Sequence, residues 1–401
     1  MRKFLILSSI CSFFLGCNTT TNPADAGSDA APPIGDGGRD GGPPIVDGGN
    51  DVGTHVAEAG IDAGSDANVD AAVACSSATC SGTHACVRGV CVLTCGADTT
   101  GFDAALAAGL TVVQSVCRTP IAITVVGSNV YELDKATAGL VTTFTLTRWA
   151  RGAEVPTTTT VGTATFTGMT GDMTFAGGYV AVAPDEMHAL FGYTTAPMTG
   201  SGRMSVGGVF DMATSSGTVA EVPANNNFDA TFLDATHFVI DGAPMAGQGL
   251  YRGTTAATTV VQVASHLGDF SGSVEVFGAS VLAGGSSFGS AWADGSTDGD
   301  RVVVFDAASI GTASSPIDAS TLTQLVMPSA FELLSGGRAA SVHYGGSGID
   351  RIELHTLTRS STGAVSVAAP TNLTTGGVFS SATAAGADIA LGFQGGLLFV
   401  R

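Results

Sequence analysis

The chain has 401 residues, of which 56 are Gly and only 12% are charged, and its formal net charge is −19. Nucleic-acid binding depends on clustered Lys and Arg that replace the counterions of phosphates, and this acidic sequence has no such cluster, so we expect no nucleic-acid partner. Long surface helices need Lys, Glu, Arg and Gln, whereas a chain rich in Gly, Ala, Val, Thr and Ser suits short strands and tight turns. The composition therefore predicts an all-β protein.

Residues 1–17 have the layout of a secretory signal peptide. Arg2 and Lys3 precede an apolar stretch that is too short to span a bilayer. The sequence Phe14-Leu15-Gly16-Cys17 resembles the lipobox of bacterial lipoproteins, which implies that Cys17 is acylated and becomes the new N-terminus. Asn18 follows the cysteine in place of Asp, which implies an outer-membrane location. The alternative is an ordinary cleaved leader that contains a chance cysteine.

Residues 18–74 are a low-complexity segment of Asp, Gly, Ala, Ser and Pro with near-repeats such as Asp25-Ala26-Gly27-Ser28-Asp29-Ala30. The segment has no aromatic residue and cannot bury enough apolar surface to offset chain entropy, so we predict a disordered tether that averages roughly 40 Å end to end. It resembles the tethers of myxobacterial surface lipoproteins, which implies display from the cell envelope. The alternative is a repeat fold in which the spaced Asp residues bind Ca²⁺.

Six cysteines remain after the leader and Cys17, and the five that lie close together predict a small disulfide-rich module at residues 75–101. They are Cys75, Cys80, Cys86, Cys91, Cys95 and Cys117. An even set in an exported chain indicates disulfides, although the sequence leaves their connectivity open. The step from Cys86 to Cys91 is similar to the Cys-x-x-Gly-x-Cys step of EGF-like knots. The alternative is a zinc site with His84 as a further ligand, but paired Cys-x-x-Cys steps are missing.

Residues 102–401 repeat a pattern of apolar strand, polar turn and second strand about every 40 to 65 residues, which suits four-stranded sheets arranged in a ring. In the clearest copy, strands at 179–183 and 188–192 flank a turn at Pro184-Asp185-Glu186. This turn resembles the Pro-Asp-Gly hairpin of β-propeller blades. The resemblance and the spacing imply a six-bladed propeller over residues 102–401, and a pair of β-sandwiches is the alternative.

The sequence ends on an apolar strand, 396–401, with no outer strand after it. Residues 110–116 form a suitable strand at the other end of the predicted propeller. We therefore expect these two segments to pair and close the ring, because closure removes exposed strand edges.

One acidic segment resembles the front of a Ca²⁺ loop. Asp294, Ser296, Asp298 and Asp300 alternate around a Gly turn, and such oxygen ligands could converge on one cation. The Glu that closes an EF-hand loop is missing. A structural Ca²⁺ is therefore the one cofactor that we consider, and an exposed hairpin loop is the simpler interpretation.

Three other patterns resemble catalytic or metal-binding motifs but fit structural positions better. Ser287 is the centre of a Gly-x-Ser-x-Gly match, without a visible helix after it. His188 and His237 each lie three residues after an Asp, at expected hairpin shoulders that face solvent. Lys135 could support Schiff-base chemistry, but its neighbours indicate an exposed strand end. We therefore assign no catalytic residue.

Propellers serve both as enzymes and as binding scaffolds, so the predicted fold leaves the function open. The long tether and the lack of a convincing catalytic motif favour a non-enzymatic domain, held to the membrane by its lipid, that binds a protein or polysaccharide partner. The alternative is an extracytoplasmic propeller hydrolase or lyase that acts on glycan or peptide.

Overall fold

The structure, a computed structural model, describes residues 75, 80–153, 155–168, 173–197, 204–221, 224–244, 249–265, 270–288, 298–326, 331–345 and 348–401. The predicted leader, Cys17 and the tether at 18–74 lie outside the described residues. The described part begins with strands β1 (His84–Val87) and β2 (Val90–Leu93), helix α1 (Thr100–Ala107) and strand β3 (Val112–Val116).

The remaining described strands form a six-bladed β-propeller, as the sequence predicts. Blade 1 contains β4 (Ala122–Val126), β5 (Asn129–Ala138), β6 (Val141–Ala150) and β7 (Thr159–Thr167). Blade 2 contains β8 (Met173–Val182), β9 (His188–Pro197), β10 (Met204–Asp211) and β11 (Ser216–Glu221). Blade 3 contains β12 (Ala224–Phe232), β13 (His237–Pro244), β14 (Gly249–Thr254) and β15 (Ala257–Ser265).

The second half of the ring carries more elaborate outer edges. Blade 4 contains β16 (Phe270–Phe277), β17 (Ser280–Phe288), β18 (Asp298–Asp306) and β20 (Gln324–Val326). Between β18 and β20 lie helix α2 (Ala307–Thr312), strand β19 (Ile317–Asp318), which pairs with β15, and a 3-10 turn (Ala319–Thr321). Blade 5 contains β21 (Phe331–Leu334), β22 (Arg338–Tyr344), β23 (Ile349–Arg359), β24 (Val365–Val367) and β25 (Thr371–Thr374). Blade 6 contains β26 (Ser381–Ala385), β27 (Asp388–Phe393), β28 (Gly396–Val400) and the early strand β3.

The expected ring closure is present, because β3 supplies the outer strand of blade 6. It runs antiparallel to β28, with Val116 opposite Leu397. Thr111 and Arg401 extend the pairing by exchanging two backbone hydrogen bonds of 2.8 and 2.9 Å. The buried carboxylate of Asp388 in blade 6 adds to this junction, because it forms ion pairs with Arg151 of blade 1 and with Arg401 at the end of the chain.

The turn that carries the propeller resemblance joins β8 to β9. Glu186 has a φ of +55°, the left-handed conformation that Gly adopts most readily. Its carboxylate accepts hydrogen bonds from Tyr131 and from Asn129 Nδ2 of blade 1. These contacts compensate for the unfavourable backbone conformation and explain why Glu can occupy the place of Gly.

The cysteine-rich segment is a module of one hairpin in which β1 pairs with β2. Its disulfides join Cys75 to Cys86, Cys80 to Cys91 and Cys95 to Cys117. The predicted disulfides are confirmed, and they engage the sulfurs that the zinc alternative would use as ligands. His84 Nδ1 lies 2.6 Å from Ser81 Oγ. Because Cys117 directly follows β3, the third disulfide fastens the closing strand to the module.

The module and helix α1 pack against blades 5 and 6. Phe102 of α1 is fully buried, with its ring edge-on to Phe379 at 5.6 Å and to Phe393 at 4.9 Å between centroids. Gly101 lies so close to Val378 that a side chain at this position would collide with it. Residues on both sides of the predicted boundary at 101/102 therefore share one hydrophobic core with the propeller.

Helices play a minor part in the described chain. Helix α1 has eight residues and helix α2 has six. Neither reaches the length of about 20 residues that a helix needs to cross a bilayer.

Candidate functional site

The two faces of blade 5 differ in chemical character, and this difference identifies the candidate site. Side chains of a β-strand alternate between the faces of the sheet. On β22 and β23, Val342, Ile352 and Leu354 point to the hydrophobic core shared with blade 6 and the module. On the opposite face, Ala339 and Leu357 pack against blade 4. Phe331 of β21 and Val365 of β24 are apolar on the same face, which is polar where β22 and β23 pair between Ser341 and Arg351.

We call this region the polar face of blade 5. It consists of Ser341, His343, Arg351, Glu353, His355, Asn372 and Thr374. The strand register places them together, because Ser341 is opposite Glu353 and His343 is opposite Arg351. The next strand, β25, places Asn372 opposite Glu353 and Thr374 opposite Arg351.

Glu353 is the centre of the polar face. Its Oε1 lies 3.0 Å from Arg351 Nη2 and 3.2 Å from His343 Nε2, and its Oε2 lies 3.6 Å from His355 Nε2. The Oγ atom of Ser341 lies 3.1 Å from the same His355 nitrogen. Each polar group is thus oriented by a neighbour on a rigid strand.

The polar face changes from exposed to buried along β23. The side chains of Arg351 and His343 are 46% and 32% exposed, whereas those of Glu353 and His355 are 15% and 5% exposed. Burial lowers the pKa of His355 below its ordinary value of 6.5, the charge of Glu353 opposes this shift, and His343 adds to it. The imidazole of His355 is therefore neutral at pH 7 and lies at the buried end of the polar face.

The arrangement of Ser341, His355 and Glu353 differs from that of a nucleophile triad. In a triad the acid contacts the imidazole nitrogen that does not face the nucleophile. Here Ser341 and Glu353 both approach Nε2, and the Ser341 side chain is fully buried. The geometry is that of a polar network which supports the exposed groups above it.

The same groups also differ from a metal-ligand set. Zinc ligands converge on one point at about 2.0 to 2.2 Å from the ion. The two histidines contact different oxygens of Glu353, and the Arg351 guanidinium shares the oxygen that His343 contacts. These contacts form an ion-pair and hydrogen-bond network.

The predicted Ca²⁺ loop falls mostly outside the described residues, which include neither Asp294 nor Ser296. Asp298 and Asp300 belong to the backbone of β18, where they are opposite Phe288 and Ser286 of β17. The Ca²⁺ site stays a prediction.

Ser287 of the Gly-x-Ser-x-Gly match lies within a strand. It is opposite Gly299 in the β17–β18 pair, whereas a nucleophile elbow needs a sharp turn from strand to helix at the serine. Gly289 lies outside the described residues. Ser287 therefore occupies a position within a strand, as expected if the Gly-x-Ser-x-Gly match is structural and not catalytic.

Of the two histidines at hairpin shoulders, His237 helps to hold its turn in place. His237 Nδ1 lies 2.8 Å from Asp234 Oδ2, and Asp234 Oδ1 also accepts hydrogen bonds from the backbone N–H groups of Thr236 and His237. Burial alone would raise the pKa of Asp234, but these hydrogen bonds outweigh it and lower the pKa to about 2. His188 occupies the corresponding start of β9, opposite Asp211.

Lys135 is at the exposed end of β5, as expected. Its ammonium lies 5.0 Å from the centroid of the Tyr193 ring in blade 2, which is a cation–π contact. Burial raises the pKa of Tyr193 to about 12.

Two buried carboxylates that the sequence analysis missed connect neighbouring blades. Asp229 of β12 accepts a hydrogen bond of 3.0 Å from Val274 N of blade 4. Glu332 of β21 accepts a hydrogen bond of 2.9 Å from Ala384 N of blade 6 and one from Thr383 Oγ1. For Glu332, the acidic residue inside the apolar strand Phe331-Glu332-Leu333-Leu334 is the signal that could have found it, whereas Asp229 follows three Asn residues and one Phe and has no such signal.

No family model and no curated protein sequence matches the chain. Solved structures to which it is similar include TolB from Acinetobacter baumannii, with 13% identity and a TM-score of 0.37, and hydrazine synthase from Kuenenia stuttgartiensis, with 14% and 0.39. The matches cover 63% and 69% of this chain, and 54% and 74% of those chains. The β-propeller domain of the Trilobed protease from Pyrococcus furiosus is similar with 11% identity and a TM-score of 0.35, over 70% of this chain and 79% of that domain. The chain thus spans about half the length of the Acinetobacter protein.

Proposed function

We propose that the chain is a lipoprotein of the bacterial cell envelope, anchored to the outer membrane through Cys17, that displays its propeller for the binding of a polysaccharide or protein partner. In this proposal the tether at 18–74 separates the propeller from the membrane. Two or more acyl chains hold a protein stably in a bilayer, whereas one chain holds it only marginally.

The disulfides of the module support the exported location. Disulfides persist in oxidising compartments such as the periplasm and the cell surface and are rare in the cytosol. Six of the eight cysteines form disulfides, and the other two are Cys11 and Cys17 of the predicted signal segment.

The polar face of blade 5 is the observation that carries the binding function. It combines the exposed guanidinium of Arg351 and the partly exposed imidazole of His343 with the Glu353 carboxylate that both contact. The faces between propeller blades normally contribute to stability through apolar packing. Because the polar face of blade 5 carries charged and hydrogen-bonding groups instead, it favours a role in recognition.

Metabolic labelling with an alkyne-modified palmitate tests the anchor in the full-length chain expressed in a Gram-negative host. We expect the wild-type protein and the Cys11→Ser control to incorporate label and to fractionate with the outer membrane. The Cys17→Ser variant should lose the label, because it lacks the thiol that accepts the lipid. Labelled Cys17→Ser protein, or unlabelled wild-type protein that retains its leader, would disprove the anchoring.

A further inference from the structure

We propose that the polar face of blade 5 binds a neutral, hydroxyl-rich saccharide chain. This inference rests on the proposed binding function and identifies its site and its class of ligand. The contact groups are the exposed Arg351, Asn372 and Thr374 and the partly exposed His343, and the buried Ser341 and His355 lie beneath Glu353.

The charge balance of the polar face favours an uncharged ligand. Arg351 is the permanent cation, and Glu353 compensates its charge at an N–O distance of 3.0 Å. An anionic ligand would have to compete with Glu353 for Arg351. A neutral ligand can form hydrogen bonds with the remaining guanidinium N–H groups while the ion pair stays intact.

The hydrogen-bonding groups on this face match the chemistry of sugar hydroxyls, each of which both donates and accepts. Arg351 donates, Asn372 donates and accepts through its amide, and Thr374 does both through its hydroxyl. Neighbouring strands lie about 4.8 Å apart, and alternate residues along one strand lie roughly 6.7 Å apart. The register therefore distributes these groups over an area on which several hydroxyls of one chain could be bound together.

The supporting strands limit the entropy cost of binding. Strand β23 has 11 residues and pairs with β22 on one side and with β24 and β25 on the other. The start of β23 is fixed further, because Thr375 N donates to Asp350 O at 2.9 Å. Side chains that are oriented before binding lose less freedom when the ligand arrives.

Isothermal titration calorimetry of the mature full chain with defined polymers tests the proposal. The probes are four neutral polysaccharides (laminarin, dextran, xyloglucan and mannan), alginate as an acidic polysaccharide, and a mixed peptide library. The test variant combines Asn372→Ala with Thr374→Val. Thr358→Val is the matched control, because Thr358 is exposed on the same blade but points to the opposite face of β23.

We expect at least one neutral polysaccharide to bind and the double variant to weaken that binding by tenfold or more, with Thr358→Val unchanged. Circular dichroism and an unchanged midpoint of unfolding establish that the double variant is folded. If a neutral polysaccharide binds equally well to the double variant, the site is wrong but the binding function stands. Binding of alginate alone overturns the neutral charge of the proposed ligand, and binding of peptides alone overturns the saccharide class. No binding to any probe overturns both proposals.

Discussion

The two faces of blade 5 belong to the same strands but differ in chemical character. The face toward blade 6 buries Val342 and Ile352 in a continuous hydrophobic core with the disulfide module. The face toward blade 4 is apolar at Ala339 and Leu357 and becomes polar from Ser341 to Arg351. The comparison shows that one junction of the ring holds the module in place, while the other carries partly exposed charged and polar groups.

The apolar junction should be the most sensitive to truncation. Phe102→Ala removes a fully buried ring that contacts Phe379 and Phe393, and we expect a loss of about 3 to 5 kcal/mol in the free energy of unfolding. Urea denaturation measures this loss. Val113→Ala in the exposed part of β3 is the control and should cost less than about 0.5 kcal/mol. A similar small cost for both variants would show that the module does not share the core of the propeller.

Removal of the Cys95–Cys117 disulfide should have the next largest effect. The bond closes a loop with a sequence separation of 22 and holds the closing strand at Cys117, so we expect the paired Ser variant to lose about 2 to 4 kcal/mol. Hydrogen exchange of β3 and β28 should accelerate in this variant. The Cys80/Cys91 pair of Ser substitutions should accelerate exchange in the module and leave β28 protected. Unchanged exchange in β28 after loss of Cys95–Cys117 would contradict a role of the disulfide in ring closure.

On the polar face, Glu353→Gln should have a smaller effect on stability, about 1 kcal/mol, and a specific effect on His355. Burial lowers the pKa of His355 and Glu353 opposes that shift, so loss of the carboxylate should lower the pKa further. Folding disfavours the protonated form of His355. The stability that depends on a neutral imidazole is therefore present above about pH 6.5 and is lost as the pH falls through the pKa of the folded state. NMR titration of the His355 ring gives the pKa directly, and a pKa that rises in Glu353→Gln would refute the assigned contacts.

Thr374→Val should have the smallest effect, below about 0.5 kcal/mol, because Thr374 is exposed and the substitution preserves its shape. The midpoint of urea unfolding should match that of Thr358→Val on the opposite face. A large destabilisation would mean that Thr374 has a structural role and could not serve as a neutral probe of binding.

Much of the fold could be predicted because strands and turns are encoded locally. The Pro184-Asp185 turn, the recurring pairs of apolar strands and the unpaired last strand together indicate a closed propeller, and the structure confirms it. The candidate site could not be predicted in this way. The alternating sequence Arg351-Ile352-Glu353-Leu354-His355 predicts a strand with one polar side, but it does not say which strand contributes Ser341 and His343.

Residue types and their spacing were enough to predict the all-β class, the strand periodicity and the presence of disulfides, because they restrict the local backbone conformation and the possible partners of each cysteine. The tertiary structure alone decided how the six cysteines pair, that Asp229 and Glu332 connect blades, and that Glu353 is placed among Arg351, His343 and His355. These features depend on the register between strands and on contacts between blades. Such contacts form between segments that are distant in sequence, so a local pattern can mark Glu332 as an unusual residue of its strand but does not specify its partners.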